Sequence, residues 1–154
     1  MKGKVIFITG GNTGIGLATA LAFAAEGTNV AIFSRRSREN ELAQAKVAAK
    51  GVRCLAFTGD VTNEDDVIGA ITATHRELGG LHFAFNNAGV EQVPTPLTRQ
   101  TDADYQRIMD TNVKGVFFLT QALLPLLEAS ATADDPSRVI NIGSIDGIQT
   151  PSFD

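Results

Sequence analysis

The sequence predicts an α/β fold with a parallel sheet, and three features carry that expectation. Short apolar runs, rich in β-branched residues, recur along the chain at Val5–Ile8, Asn29–Ser34, Val52–Thr58, Leu81–Phe85 and Val139–Ile142. Stretches with helical spacing or helix-forming composition separate them, the pattern of strand–helix–strand units whose helices cover both faces of a sheet. The first run also leads through a glycine-rich bend directly into a helix.

That bend is Thr9-Gly10-Gly11-Asn12-Thr13-Gly14-Ile15-Gly16. Leu17, Leu21 and Ala24 then mark the expected buried face of a helix starting near Gly14. A strand–bend–helix unit aims backbone N–H groups and the positive end of a helix dipole at one place, which suits a pyrophosphate. Each glycine has a role there. Gly10 permits the tight turn, Gly14 lets phosphates approach the backbone, and Gly16 lets the helix lie close to the strand. Asn12, Thr13 and Ile15 lie between them as candidate cofactor contacts. A phosphate-binding P-loop is excluded, because no Lys-Ser/Thr pair follows the glycines.

Glu26-Gly27 closes the first helix and Asn29–Ser34 forms the second strand, whose end faces the adenosine ribose in a dinucleotide fold. NAD binders usually place a carboxylate there, and this chain has Ser34-Arg35-Arg36. A guanidinium grips a 2′-phosphate that a carboxylate would repel, so NADP is favoured over NAD. A polar helix from about Ser37 to Lys50 follows, ended by Gly51. The third strand leads to Gly59-Asp60-Val61. Thr62 is the expected N-cap of the next helix, with an acid three residues on, and Val67, Ile71 and Leu78 face its core side. Gly79-Gly80 stops it. His75 and His82 read as surface residues.

The fourth strand ends in Asn86-Asn87-Ala88-Gly89, where small residues let a ribose or flat ring lie against backbone. A loop with Pro94 and Pro96 precedes a cap at Thr101–Asp104 and the longest helix, running to about Glu128. Val113, Val116, Phe117, Thr120, Leu124 and Leu127 form its expected buried stripe, interrupted by the polar Asn112, and Pro125 is expected to distort it. A polar connector leads to the fifth strand and Gly143-Ser144.

The spacing Thr-Gly-x-x-x-Gly-x-Gly from Thr9 to Gly16, together with Asn86-Asn87-Ala88-Gly89, resembles the short-chain dehydrogenase/reductase family along Lys4–Asp154. The resemblance implies a single Rossmann-type, doubly wound domain over residues 1–154, with strand order 3-2-1-4-5 and two further strands expected beyond the fifth. Arg35 matches the position where NADP-preferring members carry arginine, whereas Thr13 stands where some of them have a second basic residue. The resemblance further implies that Asp60 accepts from the adenine amine and Val61 packs beside the ring. Asn87, Ala88 and Gly89 would border the nicotinamide ribose. Ser144 would bind the substrate oxygen, and Asn112 would support a water-linked proton path.

The family's Tyr-x-x-x-Lys pair is not among these residues; the single Tyr105 is followed four positions later by Met109. The expected function is therefore NADP(H)-dependent hydride transfer between nicotinamide and a carbonyl or secondary alcohol, with this chain unable to catalyse alone. The alternative is a non-catalytic dinucleotide-binding module. The expected strand order also leaves the fifth strand as a bare edge and part of the long helix uncovered, which points to self-association.

A net charge of −4 without blocks of like charge argues against nucleic-acid binding. The single Cys54 excludes an intrachain disulfide and reads as a small buried side chain, and no cluster suggests a metal. No uninterrupted apolar run has the length of a membrane span and no signal-peptide pattern precedes the first strand, so a cytoplasmic protein is expected.

Overall fold

The fold comes from a computed structural model that describes residues 1–145. Five strands, β1 (Val5–Thr9), β2 (Asn29–Ser34), β3 (Cys54–Thr58), β4 (Phe83–Asn86) and β5 (Arg138–Asn141), form one sheet. All pairings are parallel and the order is β3-β2-β1-β4-β5. The helices are α1 (Gly14–Ala25), α2 (Ser37–Ala48), α3 (Glu64–Leu78), α4 (Asp102–Met109) and α5 (Gly115–Ser130). A 3₁₀ turn, Leu97–Arg99, lies before α4, and a π-helical turn, Asp110–Lys114, joins α4 to α5.

Period-two alternation sends each strand's side chains into two cores. Ile6, Ile8, Val30, Ile32, Phe83 and Phe85 pack under α1 and α2 with Ala20, Ala24, Ala43 and Val47. Val5, Phe7, Ala31, Phe33 and Ala84 pack under α3 and α5 with Val67, Ile71, Leu78, Leu119, Leu123 and Leu127. Each fully buried side chain of this size contributes roughly 1.5–3 kcal/mol, so the two faces together fix the register. Cys54 is buried in the first core, and burial pushes its thiol up to about 12.

Several expectations need correction. The buried face of α1 is Gly16, Ala20 and Ala24, while Leu17 and Leu21 are only half-buried beside it. The small residues face the sheet because the helix lies close to β1. The N-cap of α3 is Asn63 rather than Thr62: Asn63 Oδ1 accepts from the N–H groups of Asp65 (3.0 Å) and Asp66 (3.2 Å). The Thr62 hydroxyl instead donates to Asp60 Oδ1 at 2.8 Å. His82 is not a surface residue. It is half-buried, and its Nδ1 accepts from Val5 N–H at 3.1 Å while its own N–H donates to Val5 O.

The Thr101–Asp104 capping box is present and starts a continuous helical stretch. Its buried residues in α5 are Gly115, Leu119, Leu123 and Leu127, so only Leu127 of the expected stripe faces the core. Val113, Phe117 and Leu124 are exposed. The helix is apolar on more than one side, and the π turn shifts the face that follows it, so spacing alone chose the wrong stripe. The stretch 102–130 is also long and apolar enough to meet the composition of a membrane span, which a search for unbroken apolar runs passes over. Here its leucines pack into the sheet's second core.

Candidate functional site

The carboxyl ends of parallel strands converge where neighbouring crossovers go to opposite faces, here between β1 and β4. A cavity of about 380 Å³ opens at that end. It brings together Gly10, Asn12 and Thr13 from the bend, Ser34 and Arg35 after β2, Asp60 and Val61 after β3, and Asn87, Ala88 and Gly89 after β4. Arg36, Phe33, Gly59 and Thr111 complete the lining.

Gly10 has φ +64°, a conformation that side-chain-bearing residues rarely adopt, and its N–H donates to Phe33 O at 2.8 Å. A Cβ on Gly16 would lie 2.2 Å from Gly10 O, so only glycine lets α1 meet the bend this closely. Gly14 faces open space, and the exposed Ile15 follows it at the start of α1. Neither Gly14, Ile15 nor Gly16 lines the cavity itself. The Thr13 side chain makes no cap hydrogen bond to the first-turn N–H groups of α1.

The bend is stitched to β4. Thr9 Oγ1 accepts from the N–H groups of Asn87 and Ala88, both at 3.0 Å. Asn87 Nδ2 donates back to Thr9 O (3.1 Å) and Gly10 O (3.3 Å). The family resemblance implied that Asn87 stabilises the central strand, but the part played by Thr9 was not legible in sequence, since a threonine at a strand end has many roles.

After β2 and β3, Arg35 stands 3.9 Å from Asp60 and is mostly exposed. Asp60 is also a turn residue, its Oδ1 accepting from Thr62 N–H at 2.9 Å. Arg36 donates to Thr13 Oγ1 at 3.1 Å, so a cation stands at the bend although position 13 is not basic. Its pair with Glu39 is 3.5 Å long. Exposed pairs of this kind contribute about 0–1 kcal/mol, which leaves both guanidinium groups available to an anion.

Asn112 and Ser144 meet in a neighbouring cavity of about 900 Å³, lined also by Val90, Glu91, Gln92, Pro94, Pro96 and Ile108. Asn112 sits in the π turn and is exposed. Its amide pairs with the Val90 backbone, Oδ1 accepting from Val90 N–H at 2.8 Å and Nδ2 donating to Val90 O at 2.9 Å. Gly89 lines the first cavity and Val90 the second, so this pairing fixes the wall where the two adjoin. No group of three or more His, Cys, Asp or Glu residues that could hold a metal occurs among the described residues.

Comparison with known proteins bears on the fold and the family. The chain is 34% identical over 149 residues to the 2,5-dichloro-2,5-cyclohexadiene-1,4-diol dehydrogenase of Sphingobium indicum, covering 96% of this chain and 57% of that protein. Its structure superposes on NAD+-bound xylitol dehydrogenase with a TM-score of 0.90 at 35% identity, covering 97% of this chain and 56% of that one. The NADP complex of RhlG from Pseudomonas aeruginosa gives 0.90 at 32% identity, covering 99% and 59%. The chain spans about half the length of the curated relatives it matches. The family model described as short chain dehydrogenase matches residues 4–153, and the chain belongs to that oxidoreductase family.

Proposed function

We propose that this chain is the dinucleotide-binding part of an oxidoreductase that prefers NADP(H) and exchanges hydride with a carbonyl or secondary alcohol. One observation carries the reading: a single cavity is lined by the glycine bend and by two arginines, Arg35 beside Asp60 and Arg36 beside Thr13. The open space at Gly14 and the uncapped start of α1 suit a pyrophosphate. Arg35 and Arg36 suit a 2′-phosphate, which a carboxylate in place of Ser34 would repel.

Bound nicotinamide supplies the hydride chemistry. Asp60 and Val61 border the adenine, and Asn87, Ala88 and Gly89 the nicotinamide ribose. Ser144 holds the substrate oxygen in the second cavity, and Asn112 keeps Val90 in place between the two. No Tyr-x-x-x-Lys pair occurs in the sequence to deliver a proton to that oxygen. A proton donor of that kind is worth about 10²–10⁴ in rate, so turnover of a simple ketone by these residues alone should be slower by that factor.

Calorimetric titration of the chain with NADPH and NADH, before and after Arg35→Asp, tests the reading. The substitution should weaken NADPH at least about tenfold, as loss of a charge-assisted bond does, and change NADH little. Equal losses would remove Arg35 as a discriminator. No binding of either dinucleotide at millimolar concentration would overturn the proposal.

A further inference from the structure

Beneath the arginines lies a buried polar side chain that the reading above does not use. Asn40, on the first turn of α2, is 2% exposed. Its Nδ2 donates to Ser34 O (3.0 Å), Phe57 O (3.0 Å) and Thr58 Oγ1 (3.3 Å), which ties the end of β2 to the end of β3. Two carbonyls facing one end of the amide leave its Oδ1 no choice but to face Ser34, whose hydroxyl lies 2.8 Å away. Asn40 Oδ1 can only accept, so the Ser34 hydrogen points at it. Asn12 Nδ2, which can only donate, meets the same Ser34 oxygen from the other side.

We infer that Asn40 is a positioning residue that sets the hydrogen-bond polarity of Ser34 and orients Asn12, so that Ser34 offers the adenosine pocket only a lone pair. This inference rests on the dinucleotide reading of the cavity. A ribose 2′-hydroxyl can donate to that lone pair. A 2′-phosphate gains nothing from it and is held by Arg35 and Arg36 alone. Asn40 thereby restrains the preference for the phosphorylated cofactor, and its removal frees the Ser34 hydroxyl to donate to a phosphate oxygen.

Affinities of the full chain for NADPH and NADH, measured by titration for the wild type, Ser34→Ala, Asn40→Ala and the double variant, test this. With the Ser34 lone pair open only to the ribose 2′-hydroxyl, Ser34→Ala should leave NADPH affinity unchanged, weaken NADH and so raise the NADPH-to-NADH affinity ratio about twofold or more, the scale of one neutral hydrogen bond. Asn40→Ala should raise that ratio about fivefold or more, the scale of one new hydrogen bond to a charged group. Adding Ser34→Ala should bring the ratio back to that of Ser34→Ala alone. A merely structural Asn40 would weaken both cofactors alike, and that result would overturn the inference. So would a selective loss of NADPH affinity in Ser34→Ala, which decides the matter even if Asn40→Ala does not fold. A wild type that prefers NADH would defeat the proposed NADP(H) preference and leave the ratio shifts to be read. Binding of neither cofactor would overturn both.

Discussion

His82 shows how one residue's surroundings set a property that its sequence neighbours do not. Its Nδ1 accepts the Val5 N–H, and burial, followed by the nearby Lys4 charge, holds its pKa below the ordinary value of 6.5, with Asp135 opposing. The folded state therefore binds a proton at His82 less readily than the unfolded chain does, so the unfolded state carries more protons as the pH falls through about 6.5. Stability should fall as the pH drops from 7.5 toward 5.5, before Asp104 and Asp135 titrate. Both carboxylates lie below their ordinary range, through a hydrogen bond from Thr101 and one from Lys4 respectively. Urea midpoints across that interval should decline for the wild type and much less for His82→Gln; parallel declines would remove His82 as the cause. The expected strand order set this strand beside the first, but not that the His82 ring reaches the Val5 N–H, so this bond was hidden. Ser34 and Arg35 were legible because their position follows from a strand end. Asn40 was not, because a polar residue in a polar helix announces no burial.

At the scale of elements, the unit β1–bend–α1 was readable because each glycine answers a local demand. Its tightest point is Gly16, where a methyl group would sit 2.2 Å from Gly10 O and 2.8 Å from Asn87 Nδ2. Both neighbours belong to fixed structure, so α1 must move outward. Gly16→Ala should destabilise the fold by about 1–3 kcal/mol, typical of overpacking, and disturb the bend. Thermal unfolding should begin several degrees lower, at about 2–4 °C per kcal/mol for a chain of this size, and dinucleotide affinity should fall with it. An unchanged melting temperature would show that α1 rests more loosely than its contacts indicate. The longest helix was harder to read for an opposite reason. With Val113, Phe117 and Leu124 on one side and Leu119, Leu123 and Leu127 on another, its pattern offers two stripes, and only the packing of β4 and α3 selects between them.

For the whole molecule, the same surplus of apolar surface governs solution behaviour. Val139 and Ile142 are 36% and 43% exposed at the β5 end of the sheet, and no described strand pairs beyond it. The exposed stripe of the long helix adds Phe117 at 62%. We expect the chain to self-associate through these surfaces, because an open strand edge invites pairing. Light scattering during size-exclusion chromatography should give masses above one chain that rise with concentration, and Val139→Lys should lower them. A monomer at every concentration would contradict this.

The stitches between Thr9 and Asn87 have a consequence of a different kind. They bolt the mouth of the crevice to the two central strands, so the receptor surface is finished when the sheet is finished. Around Gly10 that surface is backbone already held in place by these bonds. The entropy of shaping that surface was already lost as the strands paired, which leaves more of the contact energy to appear as affinity.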